Sequence, residues 1–150
     1  MTRRITTALL TAAMLASCGT IAKQETPDVL IVDQDVGGFV EVMRDKVARL
    51  ERSGKRVELR GARGQIVSAG TMYLGLTNVC IHPEAEFGFH GASYLGLGIL
   101  KAVEGDRIMT EHLPGELGEW FWREGRHLRG ILGTTKSGRW VSEMSGVPLC

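Results

Sequence analysis

Ile66-Val67 runs without a break into Ser68-Ala69-Gly70-Thr71-Met72-Tyr73-Leu74, so the chain must leave an extended segment and enter a helix at a serine among small residues. With Gly64-Gln65 ahead of it, the stretch reads as a strand–turn–helix junction, the arrangement that displays a nucleophile. Flanking patterns agree with α/β architecture. Val29-Leu30-Ile31-Val32, bounded by Asp33, reads as a buried strand, and Asp33 to Gly38 as a loop. From Phe39 to Arg52 the apolar Val40, Met43, Val47 and Leu50 recur at helical spacing, with Glu41, Arg44, Asp45, Arg49 and Arg52 opposite, and Gly54 ends the helix. Arg56 to Arg60 alternates as a strand, and Val79-Cys80-Ile81 is strand-like. Pro83-Glu84 turns the chain into Ala85 to His90, where period two sets Phe87 and Phe89 on one face and Gly88 and His90 on the other. The chain is then Gly-rich through Gly98 and helical in two or three pieces. Leu117, Trp120, Phe121 and Glu124 mark one helix whose aromatics suit a core or a subunit contact. The expectation is one α/β domain over residues 29–150 with a mostly parallel sheet and C-terminal helices.

The N-terminus speaks to location. Arg3 and Arg4 precede a mostly small or apolar stretch, Ile5 to Ala16, the layout of a secretory signal and too short for a membrane span of about 20 residues. Leu15-Ala16-Ser17-Cys18 resembles the lipobox of bacterial lipoproteins. That resemblance implies a signal peptide at 1–17, lipidation of Cys18, a tether over 18–28 carrying Pro27, and a periplasmic domain anchored to the membrane. The alternative is an ordinary cleaved signal with an incidental cysteine. Gly19 is not the aspartate of an inner-membrane retention signal, which favours the outer membrane.

Roughly 130 residues remain after such a signal, enough for one core. Net charge is +1, with basic and acidic residues interspersed, so no nucleic-acid partner is expected. Of three cysteines, Cys80 and Cys150 remain for a disulfide in an oxidising compartment, the alternative being one buried and one exposed thiol. No Cys/His cluster has metal-ligand spacing, and no cofactor is expected.

Ser68 and His90 are the candidate nucleophile and base. A serine at a helix start has backbone N–H groups beside it that no helical carbonyl satisfies, and a histidine titrates in the range needed to activate it. His90 is the best placed of four histidines: His82 sits in a turn, and His112 and His127 fall in helical segments. The alternatives are a helix cap for Ser68 and a backbone-bonded core residue for His90.

The order strand, Gly37-Gly38, helix, strand, Gly64-Gln65-Ile66-Val67-Ser68-Ala69-Gly70, helix, strand, Phe87 to His90 is similar to the Clp protease proteolytic subunit and the wider Clp/crotonase fold, over roughly Val29 to Ser93. The resemblance implies repeated β-β-α units. It also implies Ser68 as nucleophile, His90 as base, an oxyanion hole at Gly37, Gly38 and the Ala69 amide, and a peptide or protein substrate. Departures accompany it. The family's third residue is an aspartate in a helix after the histidine, and Thr134 stands at the best local match; Asp106, Glu119 or Glu143 are the substitutes, or the pair works as a dyad. Val36 replaces the usual proline before the glycine pair, and the chain is shorter than a Clp subunit. Two functions follow: a lipid-anchored serine peptidase or related hydrolase, or a non-catalytic lipoprotein whose cleft holds an extended peptide. An acyl-CoA enzyme is a poorer third reading, because a secreted protein would not meet coenzyme A. Self-association is compatible with the family and with the aromatic C-terminal segment.

Overall fold

A computed structural model describes residues 28–63, 65–93, 102–128 and 134–150. The signal, Cys18, most of the tether, Gly64 and most of the Gly-rich stretch after His90 lie outside the described residues.

Short apolar runs become strands and the amphipathic stretch becomes a helix, close to where the sequence places them. Strand β1 is Val29–Val32, and its Leu30 and Val32 face the core. Helix α1, Val40–Ser53, buries Val40, Met43 and Val47 and stops at Gly54, whose φ of +66° is a left-handed cap that a residue without Cβ adopts readily. Phe39, expected as the first helical residue, is the extended N-cap and is 70% exposed. Strand β2 is Arg56–Leu59 and β3 is Ile66–Val67. Ser68–Gly75 then winds as a tight 3-10 helix with Leu76 as its cap, so Leu76 is not helical. Strands β4, Val79–Ile81, and β5, Glu86–Phe89, are joined by a turn in which the Ala85 N–H donates to the His82 carbonyl at 2.9 Å. Helices α2, Val103–Glu111, and α3, Glu116–Arg123, lead to β6, Thr134–Ser137, and α4, Gly138–Ser145.

The strands form two three-stranded sheets rather than one. In the first, β1, β2 and β4 lie in that order and are all parallel. In the second, β5 lies between β3, parallel to it, and β6, antiparallel. The chain alternates between them, sending β2 to the first and β3 to the second, then β4 to the first and β5 to the second. They meet at Asp35, just beyond β1, which bridges Ile66 of β3 while the Val67 N–H donates to its carbonyl at 2.8 Å. The result is a mixed α/β fold with C-terminal helices.

Phe87, Gly88 and Phe89 are all buried, so both faces of β5, the middle strand of its sheet, are covered. One expectation needs correction. Thr134, placed by the family match in a helix, begins strand β6 and pairs with Phe89. The aromatic face of α3 does serve the core: Leu117 and Phe121 are fully buried, and Trp120 meets Phe89 and Trp140 edge-on at ring-centroid distances of 5.4 and 5.0 Å.

Cys80 and Cys150 form the expected disulfide. It pins the C-terminal tail beside β4, where the Ile81 N–H donates to the Pro148 carbonyl at 3.0 Å and the Cys150 N–H to the Ile81 carbonyl at 2.9 Å, covering an edge that would otherwise expose unpaired backbone. Among the described residues no helix is long and apolar enough to cross a membrane.

Candidate active site

Ser68 leaves β3 through a sharp bend. Val67 is extended at φ −122°, ψ 152°, whereas Ser68 has φ +56°, and among the described residues it is the one non-glycine with positive φ. Such a conformation costs a side-chain-bearing residue about 1–2 kcal/mol, so the surroundings must enforce it. Two contacts do. The fully buried Thr71 donates its hydroxyl to the Ser68 carbonyl at 2.7 Å, fixing the first turn. The loop after β1 locks against the bend from the other side: a Cβ at Gly37 would lie 2.8 Å from both Ala69 N and Val67 O and 3.1 Å from Ser68 Cβ, and one at Gly70 would lie 2.8 Å from the Asp35 carbonyl. The absence of a side chain at Gly70 therefore admits the Asp35 backbone.

The Gly37-Gly38 loop owes its shape to Asp35. Its Oδ1 accepts the Gly37 N–H at 2.9 Å, a turn closed by an aspartate onto the amide two residues on, and its Oδ2 accepts from Lys46 Nζ at 3.0 Å and from the Tyr73 hydroxyl at 2.8 Å. One carboxylate thus ties together the loop, α1 and the helix that begins at Ser68. Burial pushes the Asp35 carboxyl upward, but the bonds from Lys46, Gly37 and Tyr73 together outweigh it and hold the group below the ordinary carboxylate value. Burial, and then the negative charge of Asp35, push the Tyr73 phenol upward, so it stays a neutral donor.

Of the three amides assigned to an oxyanion hole, the Gly37 N–H is already committed to Asp35. Among the described residues the Gly38 and Ala69 N–H groups meet no acceptor. Gly38, at φ +137°, has open space where a Cβ would stand, while Ala69 is fully buried. An unpaired N–H at a buried residue is uncommon.

His90 follows β5 directly and is half-buried. The register pairs Val67 with Gly88, so Ser68 and His90 sit at the same, C-terminal end of two adjacent parallel strands. His90 Nδ1 lies 2.9 Å from the Gly91 carbonyl; a carbonyl only accepts, so Nδ1 carries the proton and neutral His90 presents Nε2 as its basic nitrogen. No hydrogen bond joins the Ser68 hydroxyl to the His90 ring among the described contacts. The other histidines stand elsewhere: His82 is exposed in its turn, His127 is exposed, and His112 caps α2 with Nδ1 on the Ile108 carbonyl at 2.9 Å.

Of the substitute acids, Glu119 and Glu143 are exposed on their helices. Asp106 is 2% exposed and accepts the Ala92 N–H at 2.6 Å, two residues beyond His90. Asp35, Lys46, Tyr73 and Thr71 were not among the sequence-derived site residues. The Asp35-Val36-Gly37 spacing was a readable turn signal, while Lys46 and Tyr73 carried none.

No group of three or more His, Cys, Asp or Glu side chains capable of holding a metal occurs among the described residues. A shallow depression of about 250 Å³ lined by Leu74, Leu76, Pro114 and Val147 lies at the far end of the 3-10 helix from Ser68. Comparison with protein-family models, curated proteins and solved structures found no match to this chain.

Proposed function

We propose that the chain is an extracytoplasmic serine hydrolase, related in fold to the Clp/crotonase proteins, that cleaves a peptide or protein substrate while anchored to the outer membrane by lipid at Cys18. The observation that carries this is the strained Ser68: a non-glycine residue held at φ +56°, at a strand end, by a glycine loop and a buried threonine. Strain of this kind clusters at active sites, ligand clamps and switch regions. The repeated order supports the fold reading, since β2, β3 and the 3-10 helix, then β4, β5 and α2, each give one strand to each sheet before a helix. The disulfide supports an oxidising compartment.

In this reaction the Ser68 Oγ attacks the substrate carbonyl and its proton passes to His90 Nε2. The new oxyanion is met by the Gly38 and Ala69 N–H groups, while Gly37 shapes the loop. Collapse expels the amine, which takes the proton from His90, and a water activated by the same nitrogen releases the acyl group. No cofactor takes part.

Fluorophosphonate labelling of the signal-less domain tests this. The expected result is an adduct on Ser68 that is lost in Ser68→Ala and strongly slowed in His90→Ala. A folded wild-type domain that takes no label would leave the second reading, a lipoprotein that holds an extended peptide without cutting it. The lack of a bond between the Ser68 hydroxyl and His90 favours that second reading.

A further inference from the structure

One peptide group stands between His90 and a buried carboxylate. On its carbonyl side Gly91 O accepts the His90 Nδ1–H at 2.9 Å; on its amide side the Ala92 N–H donates to Asp106 Oδ1 at 2.6 Å. These two ends belong to a single conjugated, planar unit. A negative charge at the N–H end drives electron density toward the oxygen, so the carbonyl becomes a stronger acceptor for the imidazole, and hydrogen bonds in series reinforce one another where water is scarce.

We propose that Asp106 is the positioning residue of His90, acting through the Gly91–Ala92 peptide group in place of a carboxylate bonded directly to the ring. Its catalytic consequence rests on the Ser68–His90 reading, but the coupling itself does not. Asp106 holds the peptide plane, the plane fixes which His90 nitrogen carries the proton, and its charge favours the imidazolium that forms when the ring takes a proton on Nε2.

The local sequence builds this relay from small residues. A Cβ at Gly105 would lie 2.6 Å from the Ala92 Cβ, so α2 comes close to this segment only because glycine faces alanine. The next residue on α2 is Asp106, whose carboxylate thereby reaches the Ala92 amide. A Cβ at Gly91 would collide with the Arg126 carbonyl and stand 3.2 Å from Asp106 Oδ1. The carboxylate is almost wholly shielded from solvent, which preserves its influence over distance. Among the described residues, the other charged groups on the surrounding elements are engaged or exposed. Arg126 stacks over Trp122 with its Nε–H on the Trp122 carbonyl, and Lys136 sits over Trp120 and Trp140. Arg107 pairs with Glu104 and Glu111 at the surface, His127 is exposed, and Asp35 is bound to Lys46.

The test is an NMR titration of the His90 ring in the disulfide-bonded domain, wild type against Asp106→Asn, an isosteric change that keeps an acceptor for Ala92. Two hydrogen bonds and one peptide group stand in series between the charge and the ring, so removing the charge lowers the His90 titration midpoint. In the wild-type protein the Ala92 amide proton resonance moves as His90 titrates, which needs no variant. An unmoved midpoint in a folded Asp106→Asn domain, or an Ala92 amide indifferent to His90, overturns the proposal. Fluorophosphonate labelling then reads the consequence: the acid limb of its pH profile moves to lower pH by the same amount in Asp106→Asn. If the wild type takes no label, the hydrolase reading falls while the titration still decides the coupling.

Discussion

Replacing Asp35 by asparagine changes one atom and tests how the glycine loop is held. The amide oxygen can still accept the Gly37 N–H, but the NH2 group then faces Lys46 Nζ and the Tyr73 hydroxyl, which stand 3.0 and 2.8 Å from the carboxylate oxygen in the native protein. Lys46 has a side chain 33% exposed and can turn to water, so losing its ion pair costs under about 1 kcal/mol. Tyr73 is 1% exposed; its oxygen can accept from the amide, but its proton is then buried without an acceptor, at about 1–2 kcal/mol. The expected loss of stability near neutral pH is about 1–3 kcal/mol. Because the folded Asp35 carboxyl lies below its ordinary value of 3.8, the stabilisation from its charge is present above that pH and is lost as pH falls through the lower, folded value. The gap between wild type and Asp35→Asn therefore narrows on acidification below about pH 4. Urea unfolding followed by tryptophan fluorescence, with the disulfide intact, measures it. Equal stabilities at pH 7, or a gap of constant size from pH 7 to pH 3, would refute the reasoning.

Gly37→Ala should cost about 3 kcal/mol or more in urea unfolding, because the residue has φ +79° and its Cβ would press on two backbone atoms; Gly38→Ala, with open space around it, should show only conformational strain of about 1–2 kcal/mol. Thr71→Val keeps the shape but removes the donor to the Ser68 carbonyl. A loss of about 1–2 kcal/mol is expected, with slower Ser68 labelling in a domain whose circular dichroism is unchanged. Reducing the Cys80–Cys150 bond should destabilise the domain by about 2–4 kcal/mol, and hydrogen exchange should rise first at the Cys150 and Ile81 amides that join the tail to β4.

The elements were legible where side chains repeat with a clear period. Helix α1 shows its buried stripe at Val40, Met43 and Val47 and its stop at Gly54, and β1, β2 and β4 read as short apolar or alternating runs. Thr134 was misread because a motif match carries no information on local geometry: Thr134 to Ser137 is a polar stretch whose strand character comes from pairing with β5. For the site, the sequence pointed to Ser68 and His90 through residue type and order. It could not show that the Gly37 N–H belongs to Asp35, since that turns on a side-chain bond competing with a ligand.

The sequence by itself determined the covalent and local terms: which stretches are extended or helical, that a serine stands at a strand end, and that two cysteines were available to pair. Only the tertiary structure decided the long-range terms. It split the strands between two sheets joined at Asp35, bent Ser68 to positive φ against a loop more than thirty residues away in sequence, and brought the Asp106 carboxylate to the peptide group beside His90. Each of those depends on how closely backbones approach, and the glycines that permit it at Gly37, Gly70, Gly91 and Gly105 become informative only when the neighbour each one admits is known.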